Sequence, residues 1–483
     1  MEKRFLKEKQ SSSEERRRSN SEINDLPDSF LCHILFFLST KYSVRSSLLS
    51  KRWRSLWLQV PAFDLDSLQF NDDVFSFTDF VHRFLKSDEN LTLNRFKLIC
   101  SPDDIDDDDN NDSVLELWID ALVRRRVHHL DFQVNSDDDK IVCMPLSLYS
   151  CNTLANLSLY HVALSDMELE FVASLPCLKV MCLDTVRYEY DDSLIHDESN
   201  YLETLLTSCP VLEKLTIIRD IFDYLKIICV RSKSLKSLTL WVDSCQVGLL
   251  EDHVVEIDAS KLEHMSLRDH LSRSIVIHSI APYASVNIDV HFDGNDGYTS
   301  LDQDDDDSNS KRTMIRNFLT KISTVSRMEI SYNTLEVIHD YSKLEQLPHF
   351  SNLSWLYASF LDSFWELLPT FLCCCPNRHT LFLEFVFDIE ESPMKLSSVP
   401  PCFVSSLKYV KLATQGTTKT SSQMKLARYF LSHCAVLKKL SLSKSFGDGI
   451  IKKIKKIQRK SRECIIVTGC LVKPHNLYHR QDE

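Results

Sequence analysis

The chain has 483 residues, 43% of them hydrophobic, with a net charge of −13. That is enough apolar material for a sizeable core, spread over about two to four domains or absorbed by one repeat array. The acidic balance argues against a general nucleic-acid binder. Only seven glycines occur, and the nearest approach to a phosphate cradle, Gly447-Asp448-Gly449, fits neither a P-loop nor a dinucleotide fingerprint.

Residues 1–22 are polar and charged and are predicted to be a disordered tail. They contain no apolar core of a signal peptide, and no run of roughly 18 uncharged apolar residues follows. Sixteen cysteines are scattered without a paired framework. Reduced thiols in the cytoplasm or nucleus are the natural expectation.

Residues 25–60 read as three short helices. Pro27 sets the entry to the first, and Asp28 lies in its first turn, where a carboxylate favours the helix dipole. Leu31, Ile34, Leu35 and Leu38 follow at helical spacing. Thr40 is predicted to cap a second helix carrying Val44 and Leu48. Ser50 is predicted to cap a third, with Trp53, Leu56 and Trp57 on one side and Pro61 as the stop. So many large apolar groups in so few residues exceed what three short helices can hide. The excess points to an interface. Lys41, Arg45, Lys51, Arg52 and Arg54 make every charge between 41 and 58 positive, which suits an acidic partner. The competing reading packs this patch on the downstream chain as a cap.

From about residue 90 apolar residues recur as LxxLxL. Thirteen instances run from Leu93/Phe96/Leu98 to Leu437/Leu440/Leu442, at a mean interval of about 29 residues, the range of leucine-rich repeats. Three are weak: Ser285/Ile288/Val290, Arg378/Leu381/Leu383 and Leu353/Leu356/Ala358. A second echo aligns 205–217, 371–383 and 430–442 without gaps, placing Cys209, Cys375 and Cys434 at one helix-to-strand corner. A small apolar thiol suits such a crowded corner. Acidic runs at 103–109, 137–139 and 302–307 repel themselves and read as loops thrown off the repeats.

Catalytic and metal motifs are absent: there is no HExxH, GxSxG, paired CxxC or EF-hand loop. His128-His129 lacks a third ligand at metal spacing and reads as a surface pair. Cys373-Cys374-Cys375 reads as repeat packing. The aspartate runs lack the glycine turn and closing glutamate of an ordered calcium loop. No metal and no cofactor is therefore expected. The basic segment 450–464 places Ile450, Ile451, Ile454 and Ile457 on one helical side. It reads as a capping helix with its charges in water, followed by a buried terminal strand at 464–467.

Residues 26–57, LPDSFLCHILFFLSTKYSVRSSLLSKRWRSLW, resemble a plant-type F-box. Leu26, Pro27, Asp28, Ile34, Leu35, Leu38, Thr40, Lys41, Val44, Ser47, Leu49, Ser50, Lys51, Arg52, Trp53, Arg54, Leu56 and Trp57 occupy the family's fixed positions. Ser39 stands where proline is usual. Residues 397–442 are similar to the FBD domain that follows F-box and repeat segments in a large plant family, with the VPxC turn at Val399–Cys402 and SSLKYV at 405–410.

The resemblance implies an α/β architecture: a three-helix F-box, an irregular leucine-rich-repeat solenoid and a C-terminal FBD cap. Its boundaries would be 23–65 for the F-box, 90–395 for the repeats, 396–470 for the FBD domain and 471–483 for a tail. It further implies the receptor subunit of an SCF-type ubiquitin ligase, without catalysis of its own. Leu26, Pro27, Leu31, Ile34, Leu35, Leu38, Val44, Leu48, Lys51, Trp53, Leu56 and Trp57 would bind a Skp-type adaptor and through it a cullin. The repeats and FBD domain would hold a protein substrate; no nucleic-acid or membrane partner is expected. The alternative is a non-catalytic repeat scaffold acting without a cullin.

Overall fold

The computed structural model describes residues 23, 25–70, 74–87, 92–105, 113–135, 140–164, 173–188, 201–219, 225–242, 253–292, 306–386, 396, 398–414 and 420–470. The predicted N-terminal tail 1–22, most of each acidic run and the segment 471–483 lie outside the described residues. The chain divides into two compact units, Met1–Cys182 and Leu183–Glu483.

The first unit opens with helix α1 (Asp28–Leu35) and helix α2 (Thr40–Arg45), followed by two 3-10 turns, Ser46–Leu48 and Leu56–Gln59. The third predicted helix is therefore not an α-helix: residues 51–55 form successive turns, and the apolar side of 53–57 is built from a turn plus one 3-10 segment. Thr40 is not the cap either. Ser39 holds the N-cap position without a side-chain bond, and the Thr40 hydroxyl instead accepts the Asp64 backbone N–H at 2.8 Å.

Strands β1 (Ala62–Asp66), β2 (Arg95–Cys100), β3 (His129–Val134) and β4 (Asn156–Tyr160) follow, each parallel to the last. The unit ends within strand β5 (Val180–Asp184). Alternate residues of β2 and β3 are buried, because successive side chains of a strand point to opposite faces. The array thus starts one repeat earlier than Leu93: Val60, Phe63 and Leu65 already have the LxxLxL spacing and are all buried. Helices α3 (Val74–Lys86) and α4 (Val114–Arg124) cover the other side. Phe77, Val81, Phe84 and Leu85 of α3 form a buried helical stripe, and Phe77 meets Trp118 of α4 edge to face at 6.2 Å.

The second unit carries strands β6 (Lys214–Arg219), β7 (Ser237–Val242), β8 (His264–Asp269), β9 (Ser285–Val290), β10 (Arg327–Ile330), β11 (Trp355–Leu361), β12 (Thr380–Val386), β13 (Tyr409–Thr414), β14 (Lys439–Ser443) and β15 (Ile465–Cys470). They pair in chain order, all parallel. Strands Ile227–Arg231, Val254–Asp258 and Ser274–Ser279 make a separate three-stranded parallel sheet. Helices α5 (Tyr201–Thr207), α6 (Asp306–Ile322), α7 (Tyr332–Leu344), α8 (Leu367–Cys373), α9 (Cys402–Ser405), α10 (Thr420–His433) and α11 (Asp448–Lys455) complete the unit. Burying each Leu, Ile or Val of the strand ladder contributes about 1.5–3 kcal/mol.

Two of the weak repeats are explained by this geometry. Met265 faces Val286 and Leu267 faces Ile288, so the register around β9 is two residues earlier than the Ser285/Ile288/Val290 reading. The position equivalent to Leu262 is the exposed Tyr283, and the neighbouring buried Ala284 hides the signal. Arg378 does occupy a leucine position and is fully buried there.

Cys209, Cys375 and Cys434 sit buried at the predicted corners. The Cys209 and Cys375 thiols donate to the Leu205 and Phe371 carbonyls at 3.2 and 3.3 Å. Burial pushes Cys209 and Cys434 up to about 11, so they pack as neutral thiols. At the C-terminus Ile451 and Ile454 of α11 are buried while Lys452, Lys453, Lys455 and Lys456 are exposed. The terminal strand pairs with β14, but its first residue, Ile465, is 57% exposed, so the expected burial holds only for Cys464.

Candidate functional site

The N-terminal module closes a small core of its own. Leu31, Leu35, Trp53, Leu56 and Val60 are buried together, with Leu26, Cys32, Phe36 and Ala62 packed around them. Leu31 and Leu35 come from one stripe of α1, and the turns at 51–56 fold back to bring Trp53 and Leu56 against it. Hydrogen bonds hold the short elements in place. The Ser43 hydroxyl donates to the Leu35 carbonyl at the end of α1 at 3.2 Å, satisfying one of its orphan acceptors. Arg52 Nε donates to Asp28 Oδ1 at 2.8 Å, and an Arg52 terminal nitrogen also reaches the Leu26 carbonyl. This pair clips the turn to the start of α1, though an ion pair this exposed contributes only about 0–1 kcal/mol.

A second face is seated on the first repeat. The Trp57 ring stacks on Phe80 and Phe84 of α3 at 5.8 and 6.3 Å. Arg95 of β2 lies over the Phe36 ring at 5.5 Å and donates to the Phe36 carbonyl at 3.4 Å. With the Thr40–Asp64 bond, these contacts absorb one flank of the module.

The remaining flank is open and apolar. Phe30 is 60% exposed, Phe37 71%, Leu48 86% and Leu49 70%, with Ile34, Leu38 and Tyr42 also exposed. Phe30 and Ile34 of α1, with Phe37 just beyond its end, recur at i, i+4 and i+7 and form a second stripe about a third of a turn round from Leu31 and Leu35. Lys41, Arg45, Lys51 and Arg54 are exposed around it.

The twelve residues named from the sequence therefore separate into three groups. Pro27, Ile34, Leu38, Leu48 and Lys51 are exposed; Leu26, Val44 and Trp57 are half-buried; Leu31, Leu35, Trp53 and Leu56 belong to the internal core. Phe30, Phe37, Tyr42 and Leu49 are exposed but were not among the twelve. The signal for two of them was present: Phe30 and Phe37 stand four before and three after Ile34, the spacing of one helical stripe.

Among the described residues, no group of three or more His, Cys, Asp and Glu side chains is placed to hold a metal ion. His129 is the first residue of β3, and burial, His128 and Arg95 lower its tendency to protonate. No helix among the described residues is long and apolar enough to cross a membrane.

Comparison with known proteins matches three segments of the chain. The F-box domain model matches residues 23–64, the model described as FBD-associated F-box protein At5g56370, LRR repeats, matches 115–282, and the FBD model matches 395–442. F-box/FBD/LRR-repeat protein At1g80470 of Arabidopsis thaliana is 44% identical, over 92% of this chain and 90% of its own length. F-box protein At1g60400 of the same plant is 41% identical, over 85% and 95%. F-box/LRR-repeat protein 13, also from that plant, is 39% identical, over 92% and 95%. An F-box module with an open apolar flank, a parallel repeat array and an FBD segment, in that order, assign this chain to the family of F-box/FBD/LRR-repeat proteins.

Proposed function

We propose that this chain is the substrate-receptor subunit of an SCF-type ubiquitin ligase. The observation that carries the reading is the open flank of the N-terminal module. Its own core is closed and its other flank is seated on the first repeat, yet seven large apolar side chains stay in water. A patch of that kind on a stable fold marks a protein interface. An F-box is in general a module that binds a Skp1-type adaptor, and the exposed cations suit an acidic partner.

In this reading Pro27, Ile34, Leu38, Leu48 and Lys51, joined by Phe30, Phe37, Tyr42 and Leu49, touch the adaptor. Leu31, Leu35, Trp53 and Leu56 act from beneath by holding the helix and turns in place. Residues 23–65 serve as the adaptor module, 90–395 with the added first strand as the repeat array, and 396–470 as the cap. The adaptor links to a cullin, and chemistry takes place on a conjugating enzyme brought close in trans. The protein acts in the cytoplasm or nucleus and performs no catalysis itself.

The test is capture of a Skp-type adaptor by the full chain and by a Phe37→Asp/Leu48→Asp variant. Both side chains are exposed, so the fold is expected to survive. Capture should be lost. Undiminished capture by a folded variant would overturn the assignment and leave the repeat-scaffold reading, in which activity survives deletion of residues 1–60.

A further inference from the structure

Two rows of side chains cross the outer face of strands β10–β14. The first runs Arg327, Trp355, Thr380, Tyr409, Lys439. The second runs Glu329, Tyr357, Phe382, Lys411, Ser441. Their strand neighbours Met328, Leu356, Leu381, Val410 and Leu440 are buried, so both rows face away from the core. The matching rows on β6–β9 hold Lys214, Ser237, His264 and Ser285, then Thr216, Thr239, Ser266 and Asn287. Aromatic residues are thus concentrated on β11–β13.

The rings are already paired with cations. The Arg327 guanidinium lies 4.5 Å over the Trp355 ring, and the Lys411 ammonium 4.2 Å over Phe382. Tyr357 packs on Phe382 at 4.7 Å, and its hydroxyl donates to the buried Glu384 carboxylate. At the start of the strands Lys408 and Lys438 stand in adjacent turns, the Lys438 N–H bonded to the Lys408 carbonyl at 2.8 Å. Lys439 follows directly. Like charges in adjacent turns repel at short range, and an anionic partner relieves that repulsion. Residues 396–470, which contain β13–β15, hold fifteen Lys and Arg against two acids, Asp448 and Glu463, in a chain of net charge −13.

We propose that this face of β10–β14 docks an extended acidic segment of a protein substrate. The inference rests on the receptor reading for the partner being a substrate. Carboxylates of such a segment meet Arg327 and Lys439 at the two ends of the first row, Lys411 in the second and Lys408 and Lys438 beside them, a pairing with strong charge-assisted hydrogen bonds. A nucleic acid fits the face less well. Its bases need several open aromatic faces to stack on; Trp355 and Phe382 each present a face to the protein's own cations and Tyr357 is only 7% exposed, which leaves Tyr409, 45% exposed, as the open ring of the two rows.

The test is fluorescence anisotropy with the full chain, a labelled 16-residue poly-aspartate and a labelled dT16 oligonucleotide. Poly-aspartate should bind, with affinity falling as salt rises, and dT16 should bind at least about tenfold more weakly. A Lys408→Glu/Lys438→Glu/Lys439→Glu variant should lose at least about tenfold in poly-aspartate affinity while still capturing the adaptor. Unchanged poly-aspartate affinity in a folded variant overturns the proposal. So does a salt-independent affinity of the wild-type chain, which needs no variant. Equal or tighter binding of dT16 replaces an acidic peptide with a nucleic acid. If poly-aspartate binds as expected but the wild-type chain captures no adaptor, the receptor reading fails and the docking chemistry stands.

Discussion

Arg378 offers a direct test of how the repeat core is built. It takes the position that Leu353, Leu407 and Leu437 hold in neighbouring repeats, and like them it is fully buried. None of its three side-chain nitrogens has a geometrically sound hydrogen-bond partner among the described residues. The thiols of Cys375 and Cys402 interact with it electrostatically, but both are driven upward by burial, Cys402 to about 12, and are therefore neutral. Burial likewise disfavours the charged form of Arg378 itself. A guanidinium taken from water without a carboxylate costs several kcal/mol. Replacing a buried ion with an apolar side chain of similar length stabilises by about 1–4 kcal/mol. Unfolding entropy near 2.1 cal/mol/K per residue, over a unit of about 300 residues, converts this to a Tm rise of about 2–6 °C. The assay is scanning calorimetry of Arg378→Met beside the wild-type chain, with Arg378→Ala as the cavity control that should gain less. A lower Tm for Arg378→Met would refute the reasoning, because it would mean that the charge is compensated where it lies.

Acid should loosen the second unit through Asp289. Burial alone would raise that carboxyl, but hydrogen bonds from His270, Ser331 and Asn333 hold it down to about 2. Its folded pKa lies below its unfolded value, so the stabilisation, of order 2 kcal/mol, is present above about pH 4. It is lost as pH falls toward 2; Asp289→Asn should flatten that part of the stability–pH curve, measured by denaturant titration. Thr40→Val removes the acceptor of the Asp64 N–H and should cost about 1–2 kcal/mol; a variant with unchanged denaturation midpoint would dismiss that bond. Native alkylation followed by mass spectrometry should label the exposed Cys177 and Cys373 first and spare the buried Cys375, Cys402 and Cys434. Equal labelling of all five would contradict the packing role of the buried thiols.

The repeat strands were legible because a parallel strand buried on one face repeats the same short apolar pattern, and a dozen imperfect copies reinforce each other. Legibility failed where one residue broke the pattern. Val60/Phe63/Leu65 was overlooked because it runs on from the F-box signature without a break. The register at Tyr283 slipped because an exposed tyrosine replaces the expected leucine. The third F-box helix differs for another reason: Trp53, Leu56 and Trp57 have helical spacing, but a turn followed by a 3-10 segment puts Trp53 and Leu56 in the module's core and Trp57 against α3.

The amino-acid pattern by itself determined the strand repeat, the first two helices and most of the residues that must avoid water, while resemblance supplied the F-box and FBD ends. Periodicity and local turn chemistry act over a few residues and need no knowledge of the rest of the chain. Only the tertiary structure decided which apolar side chains of the F-box are spent internally, which lean on the first repeat and which remain open. That division depends on contacts between residues far apart in sequence, such as Trp57 with Phe80 and Thr40 with Asp64. The rows of cations and aromatics on β10–β14 have the same origin, because strand register, not sequence proximity, sets Arg327, Trp355 and Tyr409 in one line.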